Sequence, residues 1–258
     1  MNKGTLEGDE YEIEFVKYFN SHKSSFLNYF NALGIIDYSK HQLVRVTTKQ
    51  FSTLSKQRVM TRADAYLLKS TAVLYTNENH YISEDNLHGD EGYTKVPGSG
   101  ISIKRADSSK YQILKLTPSS FFELFGEYEL GAGASIYCDS KSDYSKNDQV
   151  LRGWCTDWNK FIAKFNTHTG ITSSNKDQEL VLQATKQYSN HKIKELIDSS
   201  KSIQKKVFNG IGLYEEPYTA HFFYNGSKIE ALEVIPFTVT TGSGRSRGDY
   251  TIVLKPSN

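Results

Sequence analysis

The sequence predicts a mixed α/β protein that forms a single domain, and three observations predict it. Apolar residues near the N-terminus recur at helical spacing. Residues typical of strands then dominate short segments between positions 43 and 116. The chain returns to helical spacing from about 149 to 207 and ends in strand-like segments joined by turn signals. This order favours one α/β or α+β domain over the 258 residues.

The first helix is predicted over residues 9–19. Tyr11, Phe15, Tyr18 and Phe19 stand at i, i+4, i+7 and i+8, which places them on one helical face. Glu14 lies on or beside this stripe, and its helical phase directs it toward the core. A second helix is expected over residues 24–33.

Short strands are predicted at 43–48, 62–68, 72–75, 101–104, 111–116 and 134–138. The turn sequence Pro97-Gly98-Ser99-Gly100 precedes the fourth of these strands. The acidic stretch 78–91 is expected to be a solvated loop. Thr117 and Pro118 predict the N-cap and first residue of a short helix.

The C-terminal third is predicted to contain helices and then hairpins. The helical segment covers about 147–210, and the hairpins cover about 219–256. Asn225-Gly226 follows a run of aromatic residues and is a strong hairpin signal. A loop at 242–248, rich in Gly and Arg, separates the last two predicted strands. The remaining core is expected over about 8–140.

The composition excludes several classes of protein. The formal net charge is +2 and the hydrophobic share is 38%, which exclude a uniform polycation and an acidic disordered chain. There is no signal-like segment at the N-terminus and no apolar run near 18 residues, so we expect a cytoplasmic protein without a membrane partner. P-loop, G-x-S-x-G and HExxH motifs are absent.

One constellation of residues carries possible chemistry. Asp64 stands at the start of an apolar strand, where burying an acid is costly unless it binds a cation or a donor. Ser102 and Lys104 stand at i and i+2 of a later strand and therefore point to the same face. If the two strands are neighbours, a carboxylate, a hydroxyl and an ammonium converge.

Such a convergence suits phosphodiester hydrolysis. A carboxylate can hold Mg²⁺, which polarises a phosphoryl oxygen. A nearby lysine can orient the attacking water and offset the charge that grows on the phosphate. The structural alternative is that Asp64 caps a backbone N–H, while Ser102 and Lys104 form the solvent face of an edge strand.

The segments Arg62-Ala63-Asp64-Ala65-Tyr66-Leu67 and Gly100-Ile101-Ser102-Ile103-Lys104-Arg105 resemble the core motif of PD-(D/E)xK nucleases, in particular type II restriction endonucleases. The resemblance covers roughly residues 8–116. It implies a central mixed sheet flanked by helices, Mg²⁺ as cofactor, Asp64 as the metal-binding acid and Lys104 as the catalytic lysine.

The sequence departs from the motif at Ser102, which replaces the second acid. The resemblance implies that another carboxylate then completes the site, and four glutamates are candidates. Glu14 is preferred as the second metal ligand, and the others are Glu10, Glu123 and Glu127.

Basic residues surround both halves of the predicted site. Residues 40–69 contain seven Lys and Arg and one acid, Asp64. Cationic segments of this kind bind phosphates without reading sequence. We expect DNA contacts from the following residues: Arg62, Arg105, Lys110, Gln112, Arg245 and Arg247. The two arginines of the 242–248 loop are candidates for reading guanine.

Three functions remain open at this point. The first is a Mg²⁺-dependent restriction endonuclease that cuts double-stranded DNA as a homodimer, since two-fold symmetry matches a symmetric site. The second is a catalytically inactive DNA-binding protein, which Ser102 in place of an acid would suit. The third is a repair or defence nuclease of the same superfamily.

Overall fold

A computed structural model of the chain describes residues 3–74, 79–87, 92–105, 111–136, 147–170, 179–241 and 250–257. The chain divides into two compact units, each built from two separate stretches. The first unit is Met1–Ser109 with Phe208–Val234, and the second is Lys110–Val207 with Ile235–Asn258. Helices occur together with one mixed sheet and two antiparallel sheets, so the predicted mixed α/β class is confirmed.

The first unit begins with two helices. α1 spans Lys3–Ser21, and α2 spans Leu27–Ala32 after a 3₁₀ turn at Lys23–Phe26. The residues of α1 that pack into the core are Phe15, Val16 and Phe19, whereas 47% of Tyr18 is exposed. The buried stripe is therefore rotated from the predicted one, and this rotation decides which acids of α1 face inward.

A six-stranded mixed sheet forms the centre of the first unit. Its strands are β1 (His41–Arg45), β4 (Ala65–Ser70), β5 (Tyr93–Lys95), β6 (Ile101–Ile103), β8 (Phe222–Tyr224) and β9 (Ile229–Ala231). The order is β1-β4-β6-β8-β9, with β5 also paired to β4. β6 and β8 are parallel, and the other pairs are antiparallel. A separate two-stranded hairpin joins β2 (Gln50–Phe51) to β3 (Arg58–Val59).

Alternating residues of this sheet fill two cores, as the two-residue period of a strand requires. Leu67 and Ile101 belong to the core that α1 and α2 cover. Tyr66 and Leu68 belong to the other core, which Tyr218 completes. Because β4 is buried on both faces, the segment that follows Asp64 reads as a continuous apolar run.

The second unit contains the remaining elements. They are β7 (Leu114–Leu116), α3 (Pro118–Phe125), α4 (Tyr128–Ser135), α5 (Asn147–Gly153), α6 (Trp158–Thr169), α7 (Glu179–Ser199), α8 (Lys201–Gln204), β10 (Phe237–Thr241) and β11 (Ile252–Pro256). Its antiparallel sheet has the order β10-β11-β7. Thr117 caps α3 by accepting a 3.3 Å hydrogen bond from the backbone N–H of Ser120, as predicted.

Two predicted strands are wrong within the described residues. Residues 71–74 form no strand, because β4 already ends at Ser70. The predicted strand at 134–138 begins inside α4. Gly131 of this helix lies so close to the Trp154 ring that an added Cβ would stand 2.1 Å from it. The small residue Gly131, three positions before the predicted strand, therefore admits a bulky ring beside the helix.

None of the helices in the described parts of the chain is long and apolar enough to cross a membrane.

Candidate active site

Asp64 immediately precedes β4 and accepts three hydrogen bonds from β6 and the residue after it. Its Oδ2 accepts from the backbone N–H of Ile103 at 2.6 Å, from the Ser102 hydroxyl at 3.3 Å and from Lys104 Nζ at 3.0 Å. The predicted convergence of these side chains is therefore present. All three donors use Oδ2, and no donor among the described residues bonds Oδ1.

A glycine immediately before β6 allows the close approach of this strand to the backbone of residues 217–219. The ideal Cβ of an alanine at Gly100 would lie 1.8 Å from the carbonyl oxygen of Thr219 and 3.0 Å from Cβ of Ala63. Nothing larger than glycine fits there without displacing backbone. With Gly100 in place, the backbone N–H of Asp64 donates a 2.8 Å hydrogen bond to the Ile101 carbonyl. Asp64 is thus anchored through both its backbone and its side chain.

Lys104 is fixed from the other side of β6. Its backbone N–H donates to the Tyr224 carbonyl at 3.0 Å, which extends the parallel pairing of β6 with β8 by one residue. Its ammonium and the Asp64 carboxylate are partly shielded, with 25% and 19% of their side chains exposed. An ion pair in this setting is screened less by solvent than one on the open surface.

Glu12 of α1 is the second carboxylate that acts on this site. It accepts a 2.8 Å hydrogen bond from Nε of Arg45 on β1. Burial and the negative charge of Asp64 raise the pKa of Glu12 to about 7, against the opposing effects of Arg45 and Lys104. The charges of both Asp64 and Lys104 therefore act on the Glu12 carboxylate.

The preference for Glu14 is not supported by its position in the helix. Glu14 is exposed, with 68% of its side chain accessible, and it pairs with Lys17 one turn further along α1 at 2.7 Å. Glu10 is exposed as well. The expectation that Glu14 faces the core is wrong, because the buried positions are Phe15, Val16 and Phe19, which lie at i+3, i+4 and i+7 from Glu12.

The predicted DNA contacts are placed in different parts of the chain. Arg62 packs against Gly210, and burial lowers its pKa while the charge of Asp64 raises it. Arg105 pairs with Glu7 of α1 at 2.9 Å. Gln112 is exposed in the second unit. The predictions for Lys110, Arg245 and Arg247 fall outside the described residues.

The two other candidate carboxylates belong to the second unit. Glu123 lies on α3, and Glu127 precedes α4 and pairs with Lys164 at 3.6 Å.

A further buried carboxylate was not expected. Glu84 lies within the acidic stretch predicted to be a solvated loop, yet only 9% of it is exposed. It accepts hydrogen bonds from the hydroxyls of Tyr66 and Tyr218 and from the backbone N–H of Thr48. Burial raises the pKa of Glu84, but these bonds, chiefly those from Thr48, outweigh burial and lower it. The arrangement stabilises a charged Glu84 inside the second core of the first unit.

The carboxylate oxygens of Asp64 and Glu12 are suitable ligands for a magnesium ion. Within the described ranges, no three His, Cys, Asp or Glu side chains lie together as a ready-made metal site. Asp64 and Glu12 supply two carboxylates, and Mg²⁺ usually binds one or two protein carboxylates while substrate phosphate and water complete its shell. The residues present therefore fit Mg²⁺ bound together with a phosphate substrate.

No protein-family model matches this chain, and no curated protein matches it either. The resemblance to the nuclease motif therefore depends on the two segments around Asp64 and Lys104 and on the geometry between them.

Proposed function

We propose that the protein is a Mg²⁺-dependent endonuclease of the type II restriction class that hydrolyses phosphodiester bonds in double-stranded DNA. The observation that carries this proposal is the 3.0 Å contact of Lys104 with Asp64, and the charges of both residues also act on Glu12 of α1. Carboxylates can hold the metal ion, and an ammonium can offset the charge that develops on the phosphate, which are two functions that metal-assisted phosphodiester hydrolysis uses.

In this proposal Asp64 and Glu12 hold the ion. A bound Mg²⁺ would polarise the scissile phosphate and lower the pKa of a water molecule. Oδ2 of Asp64 accepts hydrogen bonds from Ser102, Ile103 and Lys104. These bonds fix the orientation of the carboxylate and direct its Oδ1 away from the three donors. Arg45 holds the carboxylate of Glu12 in place.

Lys104 has two tasks in this mechanism. Its ammonium donates hydrogen bonds and can orient the water that attacks the phosphorus. The same positive charge offsets the negative charge that develops on the phosphate oxygens in the transition state. Lys104 can do both because its backbone is held by Tyr224, so that only the side chain moves.

Ser102 favours a second candidate, a DNA-binding protein on a nuclease-like fold without catalysis. Its hydroxyl is a donor to Asp64, whereas an acid at this position would be a metal ligand. A repair or defence nuclease would use the same residues as the first candidate. A homodimer would let two copies cut the two strands of a symmetric sequence.

Cleavage assays separate these candidates. Purified protein is incubated with plasmid and phage DNA in Mg²⁺ or EDTA, beside Asp64→Asn, Lys104→Ala and the control Lys228→Ala, which removes an exposed lysine. We expect discrete Mg²⁺-dependent fragments with the unmodified protein and the control, and a loss of at least about a hundredfold in both site variants. Retardation of DNA without cutting would overturn the enzymatic proposal in favour of binding alone. Random degradation in place of discrete fragments would favour a repair or defence nuclease.

A further inference from the structure

A cleft on the first unit lies between the β2–β3 hairpin and the segment 212–218. Its volume is about 550 Å³, which is in the range of sites that take small organic ligands. The residues that line it include Gln50, Phe51, Tyr214, Glu215 and Tyr218. None of them belongs to the catalytic set proposed above.

The aromatic walls of this cleft are held in place. The hydroxyl of Tyr214 donates to the Met60 carbonyl at 3.2 Å. The hydroxyl of Tyr218 donates to Glu84 at 2.8 Å and accepts from Lys95 at 2.7 Å. Because both hydroxyls are engaged by the protein, the two rings need little ordering when a planar ligand binds.

Phe51 differs from these tyrosines in its exposure. It is a large apolar side chain, yet 61% of it is exposed. The guanidinium of Arg58 lies 5.3 Å from the centre of its ring. An exposed aromatic ring beside an arginine is the combination that binds nucleic-acid bases, by stacking on the ring, and the adjacent phosphate, by charge.

The segment that forms the hairpin wall of the cleft is basic in sequence. Residues 47–59 include Lys49, Lys56 and Arg58 and contain no acid, whereas one acid, Glu215, lines the opposite wall. The amide of Gln50 and the carboxylate of Glu215 supply the few polar groups that could meet the hydrogen-bonding edge of a base.

The cleft is connected to the candidate active site through the backbone. The carbonyl of Tyr218 accepts a 3.1 Å hydrogen bond from the N–H of Ala63, the residue before Asp64. The backbone N–H of Thr53 donates to the Leu213 carbonyl at 3.2 Å and closes the other end. The segment that carries Asp64 and the segment that lines the cleft are therefore paired directly through their backbones.

We propose that this cleft binds a single nucleobase of the DNA substrate, turned out of the base stack, with Phe51 as the stacking platform. The inference rests on the proposed function, because it assumes that DNA is the substrate. Extruding a base is unfavourable in itself, and stacking against aromatic walls compensates for that loss.

Binding to matched oligonucleotides tests the proposal. Affinities are measured in EDTA, so that no cutting occurs, for a single-stranded oligonucleotide, its duplex, an abasic oligomer of equal length and free deoxynucleoside monophosphates. The variant is Phe51→Ala, and the control is Phe122→Ala, which removes a comparably exposed phenylalanine from the second unit. Thermal unfolding of both variants checks that they remain folded.

We expect the intact oligonucleotide to bind about tenfold more tightly than the abasic oligomer, and Phe51→Ala, unlike the control, to remove that difference. A duplex that carries 5-iododeoxyuridine should cross-link under light to Phe51 or Tyr214.

Equal binding of intact and abasic oligomers, or cross-links only elsewhere, would overturn the proposal. A free mononucleotide that binds as tightly as the oligonucleotide would identify the cleft as a mononucleotide site and overturn its assignment to DNA. A different result would refute the proposed function alone. In that case Mg²⁺-dependent cutting would be missing while the base-dependent binding persists. If cutting occurs and Phe51→Ala binds like the control, only the cleft assignment fails.

Discussion

Arg45 on β1 donates a 2.8 Å hydrogen bond from Nε to the carboxylate of Glu12, and its Nη2 reaches Asp9 at the same distance. One guanidinium thus fixes two successive turns of α1 against the sheet. The phase of the helix, and with it the position of Glu12, follows from this contact.

Replacing Glu12 with Gln should reduce Mg²⁺-dependent DNA cleavage by about a hundredfold or more, because the amide keeps the shape but not the charge of a metal ligand. The matched control is Glu14→Gln on the same helix, which removes an exposed carboxylate and should retain activity. Initial rates at saturating Mg²⁺ provide the measurement. The reverse result, with Glu14 essential and Glu12 dispensable, would show that α1 is rotated relative to the arrangement described above.

The pKa of Glu12 predicts how stability depends on pH. A glutamate in the unfolded chain loses its proton near 4.5, whereas folded Glu12 keeps it to about pH 7. The folded state therefore binds more protons in this window, and the free energy of unfolding falls as pH rises through it, by about 2–3 kcal/mol from this group.

Urea unfolding of the unmodified protein and Glu12→Gln at several pH values between 4.5 and 8 tests this dependence. As pH rises through this window, the unmodified protein should lose stability relative to Glu12→Gln. If the free energies of unfolding of the two proteins change in parallel with pH, the raised pKa of Glu12 is contradicted.

Gly100→Ala should destabilise the first unit by about 3 kcal/mol, because the added methyl group meets the Thr219 carbonyl, which is backbone and cannot rotate away. The control is Gly8→Ala in α1, where an added Cβ meets nothing within 4 Å. This second change should be neutral or stabilise the protein by up to about 1 kcal/mol, since alanine is the better helix former. Denaturant unfolding measures both, and equal effects would indicate that β6 does not approach segment 217–219 this closely.

Glu84→Gln should cost about 2–3 kcal/mol, because the neutral amide presents an NH₂ group to hydroxyl and backbone donors that bind a carboxylate. Glu230→Gln serves as the control, since its pair with Lys228 is exposed and contributes about 1 kcal/mol or less. Unfolding at neutral pH is the measurement. A loss in Glu84→Gln no greater than in the control would mean that the buried carboxylate is not stabilised by its donors.

The sequence predicts that Ser102 and Lys104 share one direction, and that Asp64 joins them if the two strands are neighbours, which the structure shows. Ser102 and Lys104 alternate along one short strand, and Gly100 precedes it, so their common direction follows from local geometry alone. Glu12 was not predicted, although Phe15, Val16 and Phe19 stand at i+3, i+4 and i+7 from it. Five acids lie between positions 7 and 14, so composition does not distinguish Glu12 from the others. Tyr18, which is exposed in the structure, also makes a neighbouring face of the helix look equally apolar in the sequence.

Glu84 was missed for a different physical reason. Its neighbours in sequence are polar, as in an exposed loop, and its donors come from distant positions in the chain. Thr48 and Tyr218 are 36 and 134 residues away from it. A local sequence pattern does not predict a buried carboxylate when all of its hydrogen-bond donors are distant in sequence.

The pairing of β6 with β8 has a consequence for the growing chain. Lys104 is held by the carbonyl of Tyr224, and Gly100 packs on Thr219, so both contacts wait for residues synthesised long after β6 itself. A ribosome-bound chain that has emerged only as far as the second unit's helices still lacks β8. In such a chain the backbone of Lys104 lacks this hydrogen bond, and the arrangement around Asp64 is incomplete. The order of translation would therefore delay assembly of the proposed site until Tyr224 has been made.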